Sequence, residues 1–141
     1  MIYFSDYIGT LQAEIKGVIA DENTYKEVEI KNTSLVLGSL AKKYDITRMR
    51  LWKPFERNPV IISIIIDLVL YDIFSRISPS AIPQLRIDRY KAANDLLHKI
   101  MLPDDNSECV YLENVPLNPT LSNSNQTFRS EIITKRYKND I

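Results

Sequence analysis

Apolar positions in this chain recur mostly with the period of a helix. Leu11, Ile15, Val18 and Ile19 follow Ser5 and Thr10, either of which serves as an N-cap, and predict a helix over residues 5–19. After the polar break at residues 20–23, Thr24 and Glu27 have the spacing of a capping box. Val28, Leu35, Val36, Leu40 and Tyr44 then line one side of a helix over residues 25–45. Gly38 lies inside it, at a cost of about 1 kcal/mol relative to Ala. Residues 46–59 contain Pro54 and Pro59 and read as a connector, because proline interrupts the helical hydrogen-bond ladder.

The most hydrophobic stretch begins at Val60, and neither Gly nor Pro interrupts it before Ser78. Beta-branched residues at its start favour a strand, but a run over residues 60–78 is too long for one. It is also short of the ~20 apolar residues that span a bilayer. Asp67 near its centre would add an insertion cost of roughly 2.5–3.5 kcal/mol. We therefore expect a buried core helix. Ser78-Pro79-Ser80 stops it; Ser80 is placed to cap a last helix over residues 81–101, with Pro83 tolerated in the first turn. Past Pro103 the chain turns rich in Asn, Ser, Asp and Pro, with apolar residues only scattered. These signals predict an all-α protein: a small four-helix domain over residues 1–103 and an extended C-terminal interaction arm over residues 104–141. A short strand or hairpin around Val110-Tyr111-Leu112 stays open within the arm.

Composition narrows the chemistry. Of 141 residues, 18 are Lys or Arg and 18 are Asp or Glu, so the formal charge of zero argues against a strongly basic nucleic-acid or membrane binder. One histidine, His98, and one cysteine, Cys109, supply neither a multi-His metal site nor an internal disulfide. Three glycines leave no phosphate cradle. The start lacks the basic region of a signal peptide, so a reducing cytoplasm is the expected setting. We expect no enzyme, no cofactor, no metal and no membrane association.

Two charges fall at apolar positions. On the last predicted helix, Arg89 sits on the side shared by Leu85, Ala93, Leu96, Leu97 and Ile100, while Asp67 is stranded in the apolar run. The economical expectation is a buried, hydrogen-bonded Asp67–Arg89 pair fixing the register of two helices, with Asp72 as a competing partner. Arg89 should then matter more to stability than Arg86. Asp67 and Asp72 lie about 140° apart on a helix and could not share a substrate. In the connector, Arg48, Arg50, Lys53 and Arg57 interleave with Trp52 and Phe55. Residues 46–102 carry nine basic against five acidic side chains, an excess of four that is too small to argue DNA binding. Arg50, Trp52 and Phe55 are instead candidates for a subunit interface, where Trp and Arg are typical anchors.

Taken together these residues resemble the small head–tail connector (adaptor, or head-completion) proteins of tailed bacteriophages, in particular the Mu-like group. The likeness covers the layout of the whole chain: two leading helices, a proline-containing connector, a hydrophobic helix with an internal Asp at position 67, and a last helix. That last helix carries Arg89-Tyr90-Lys-Ala-Ala93, similar to the group's Arg-Tyr-x-x-Ala pattern, and is the most specific piece. Asn125-Gln-Thr-Phe128-Arg129-Ser130-Glu131-Ile132 is similar to the Phe-containing basic motif near the end of the arm, although here Arg129 precedes the hydroxyl residue. The resemblance implies a non-enzymatic homo-oligomeric ring, a dodecamer matching the portal. It would sit in the virion neck between capsid and tail, be assembled in the host cytoplasm, and join the portal protein to a tail or stopper protein. DNA would pass through without sequence-specific binding. The arm would dock on the portal through Phe128, Ile132 and Tyr137, with Arg129, Lys135 and Arg136 pairing acidic groups there. The alternative from another class is a small helical regulatory or nucleic-acid-binding protein, recognisable by steeply salt-dependent DNA affinity.

Overall fold

In the computed structural model, residues 22–53 and 56–120 are described, and they contain four helices and no strand. These are α1 (Glu22–Leu40), α2 (Ile46–Arg50), α3 (Pro59–Ile77) and α4 (Gln84–Met101). The all-α class is thus the observed one, but the set of helices differs. The helix expected over residues 5–19 lies outside the described residues, and α2 stands inside what reads as a connector. The side chain of Asp45 makes that short helix possible: its Oδ1 accepts from the amides of Thr47 and Arg48 at 3.1 and 3.2 Å, satisfying donors that a helix start leaves open.

α3 begins at Pro59 itself. Proline at the first helical position gives up an amide that has no partner there anyway, and Asn58 caps the helix by accepting from Val60 N and Ile61 N. Its Ile61, Ile64, Ile65, Leu68, Val69, Leu70, Ile73 and Phe74 are buried, so apolar residues face inward on nearly every side, as the uninterrupted run demands. No helix among the described residues is long and apolar enough to cross a membrane.

α1 and α4 flank α3, both antiparallel to it. Asn32 of α1 meets Asp72, while Leu37 shares a cleft with Ile61 and Ile65; Arg89 faces Asp67, Tyr90 stacks on Tyr71, and Arg86 lies over Phe74. At the end of the bundle formed by residues 40–49 and 97–102, the polypeptide after α4 returns to the core. Leu112 and Val115 are buried there among Leu40, Tyr44, Met49 and Ile100 as parts of one cluster. Between them, Asn114 takes a left-handed conformation (φ 59°), which Asn tolerates better than most residues and which turns the chain back inward. The stretch that reads as an arm from residue 104 therefore lies, as far as residue 120, on the chain's own helices. Its sheet-like content is a single antiparallel bridge, Tyr44 to Leu117.

Candidate partner-binding surfaces

The acidic pair of α3 divides between its two neighbours. Asp67 faces α4, where Arg89 Nη1 lies 3.8 Å from its Oδ1. That distance makes an ion pair but exceeds a hydrogen bond, and the Arg89 side chain is 52% exposed against 16% for Asp67. The expected buried, hydrogen-bonded pair is thus a longer contact at the edge of the core. Burial pushes the Asp67 carboxyl above its ordinary range, and Arg89 and Arg86 pull it back only in part. The buried cation of α4 is Arg86, at 5% exposure, with its guanidinium 5.9 Å from the centre of the Phe74 ring. In burial, therefore, Arg86 ranks above Arg89, the opposite of the order that the expected stability ranking assumes. The inward line of α4 runs through Arg86, Ala93, Leu97 and Ile100, leaving Leu85 outside at 57% exposure. An arginine can occupy that line because its long stem packs on apolar surface while its head reaches an aromatic face.

Asp72 turns the other way. It accepts from Lys31 Nζ (3.0 Å) and Asn32 Nδ2 (3.1 Å) of α1, and from Arg76 Nε (3.1 Å) one turn along α3. Burial alone would raise its pKa, but these three donors outweigh it and hold the carboxyl below the usual range. The two carboxylates point at different helices, as their spacing requires, and share no site.

Of the candidate interface residues, Arg50 and Trp52 lie together and Phe55 lies outside the described residues. Arg50 is exposed; Trp52 is half-buried against the core beside Met49 and Ile62. With Arg57 and Asn58 they rim a cleft of about 30 Å³ floored by Leu37, Ile61 and Ile65. The buried Oγ1 of Thr33, also on its wall, has no hydrogen-bond partner among the described residues. Residues 46–58 hold four basic side chains and one acidic, which makes this end of the bundle locally positive. Such a cleft accepts no more than a small group, so the surface works as a basic rim around a partly covered tryptophan.

Periodicity gives no sign of Lys43, whose side chain is bonded several times over. Its ammonium donates to Ile100 O (3.3 Å), Leu102 O (3.1 Å) and Cys109 Sγ (3.2 Å), and pairs with Asp104 Oδ1 at 2.8 Å. It also lies 5.1 Å from the centre of the Tyr111 ring. Burial works to lower its pKa, but the bonds to Asp104 and Cys109 prevail and the pKa is raised, so the group stays charged. A cation here satisfies carbonyls at the end of α4 and ties residues 104–111 to the end of α1. Cys109 packs into this network and in turn donates to Leu102 O at 3.4 Å. Asp45 N donates to Pro116 O at 2.8 Å, Asn118 N to Lys43 O at 3.0 Å, and Asn118 Nδ2 to Ala41 O at 3.1 Å, which completes the attachment.

A second depression, about 270 Å³, opens between α1 and α4. Ser39, Lys42, Asn94 and His98 edge it, and Leu97 and Met101 supply its apolar surface. His98 is exposed on its rim. The proposed arm anchors Phe128, Arg129, Ile132, Lys135, Arg136 and Tyr137 lie outside the described residues. Among the described residues no group of His, Cys, Asp and Glu side chains could hold a metal ion. Neither the protein-family models, nor the curated proteins, nor the solved structures contain a match to this chain.

Proposed function

We propose that this chain is a structural connector in the neck of a tailed bacteriophage, a ring-forming subunit that joins the portal to the tail or stopper. Support comes from the helical core, from the resemblance carried by Arg89-Tyr90-Lys-Ala-Ala93 and the residues around Phe128, and from one structural observation that carries most weight. Residues 109–118 are stapled to the body by Lys43, Tyr44, Asp45 and Ala41, so residues 121–141 leave from one defined place on a folded domain. A tether of that kind presents a binding segment at a fixed origin. In a ring, many copies of a modest contact add to a firm joint. Arg50 and Trp52 would then contribute to the contact between subunits.

Deleting residues 126–141 tests this. The shortened chain should keep its helical circular-dichroism signal and lose co-sedimentation with portal rings; normal co-sedimentation would overturn the role given to the arm. The basic residues 46–58 beside Trp52 favour a second reading, binding of single-stranded nucleic acid. It requires affinity that falls steeply with salt, measurable by fluorescence anisotropy on a labelled oligonucleotide.

A further inference from the structure

We propose that the groove between α1 and α4 is the docking site of this chain's own residues 121–141, with the Phe128 ring seated on Leu97 and Met101. The inference goes beyond the connector role and does not depend on it.

The groove has the form of a side-chain receptor. α1 and α4 each pack on α3 and touch one another less extensively, leaving a depression between polar edges. At about 270 Å³ it is roomier than the cleft of about 30 Å³ beside Trp52, and it is open enough for a bulky aromatic ring to rest in it. Leu97 is already buried and Met101 half-buried, so a ring placed here would cover chiefly the remaining apolar surface of Met101.

What selects the occupant is where the chain emerges. Asn118 is bonded through its backbone to Lys43 and through its side chain to Ala41, on either side of Lys42, which edges the groove. The polypeptide therefore enters residues 119–127, Pro-Thr-Leu-Ser-Asn-Ser-Asn-Gln-Thr, beside the groove's rim. From Thr120 to Phe128 an extended chain reaches about 26 Å. The helical span from Asn94 to Met101 is about 10 Å. Phe128 is thus the first aromatic side chain after the staple and lies well within reach. Glu131, three residues on, is opposite in charge to Lys42 at the edge, and Arg129 is opposite to the exposed Asp95. Because the segment is tethered, its effective concentration at the groove is of millimolar order, and a weak contact suffices to populate the docked form. A docked arm would have to be withdrawn before Phe128 engaged any partner, so the groove would hold the arm in reserve.

Methyl NMR on the full-length chain with labelled methionines tests this directly. Met101 lies in the groove, and Met49, buried beside Trp52, reports on the integrity of the fold. With the ring docked, the Met101 methyl carries an aromatic ring-current shift. Phe128→Ala should abolish that shift and leave Met49 in place; Ser39→Leu, which fills the groove from its edge, should abolish it with Phe128 intact. The shift should persist on tenfold dilution. A Met101 resonance indifferent to Phe128→Ala overturns the proposal. A shift that fades on dilution overturns it in favour of a second copy's arm in the groove.

Discussion

Replacing Arg86 should cost this protein far more than replacing Arg89. Arg86→Ala removes two buried methylenes, about 1.6 kcal/mol at 0.8 each. It also removes a guanidinium held against the Phe74 ring, about 1 kcal/mol in a desolvated setting. The loss of one of two positive charges acting on Asp67 adds some tenths more, for a total of about 3 kcal/mol. Arg89→Ala breaks a half-exposed 3.8 Å ion pair, for which 0–1 kcal/mol is usual. Urea denaturation followed by circular dichroism at 222 nm reads both. With a slope of about 2 kcal/mol per molar, the Arg86 variant should unfold at a midpoint lower by about 1.5 M, and the Arg89 variant by less than 0.5 M. Arg86→Met, which keeps the stem and discards the charge, should recover more than half of the loss. Arg89→Ala shifting the midpoint as far as Arg86→Ala would refute the geometry described here.

Three further outcomes follow from particular contacts. Asp72 has a depressed pKa, so its stabilising contribution is present above the unfolded-state pKa and lost as pH falls through the folded-state value; Asp67 has a raised pKa, so its contribution is fully present at the acid end and lost as pH rises through the folded-state value. Asp72→Asn should therefore destabilise at pH 7 and flatten the acid limb of the stability profile, whereas Asp67→Asn should be neutral or stabilising at pH 7, both read from urea midpoints between pH 3 and 7. Lys43→Met strips charged hydrogen bonds from the end of α4 and should lower stability by about 2 kcal/mol, with hydrogen exchange accelerated selectively in residues 104–118. Gly38→Ala should stabilise by about 0.5–1 kcal/mol, because a Cβ at that exposed helical position meets nothing within 4 Å; a lower melting temperature would show that something covers the site.

The helical architecture is legible in the sequence where hydrophobic runs are long. The continuous apolar stretch predicts a helix over residues 60–78, and the observed one is Pro59–Ile77, with the proline counted inside because its missing amide is harmless at the first position. Boundaries set by tertiary contacts are not legible. α1 is already helical at Glu22, upstream of the Thr24 capping signal, and it stops at Leu40, where the following turn is held by Asn118 and Pro116, more than seventy residues away. α4 starts at Gln84, since Pro83 with ψ 137° keeps an extended backbone and the residue before a proline disfavours helix, so Ser80 does not cap it. The helical wheel assigned the wrong arginine to the core for a related reason. It orients the helix by its apolar residues, Leu85 included, whereas an arginine stem beside Phe74 is an acceptable core surface, and turning the helix to bury Arg86 exposes Leu85. Arg50 and Trp52, two positions apart in the connector, are legible as neighbours from their order in the sequence. Lys43 was not, because its partners are two carbonyls, a thiol and a carboxylate gathered from 57 to 66 residues downstream.

Negative-stain imaging of the purified full-length protein, alone and mixed with phage portal rings, bears most directly on the proposal that this helical domain works by gripping neighbours. A connector adds a ring of density to one face of the portal, and that density disappears when residues 126–141 are removed. Bare portals beside dispersed small particles, at concentrations where the protein is fully folded, would contradict it.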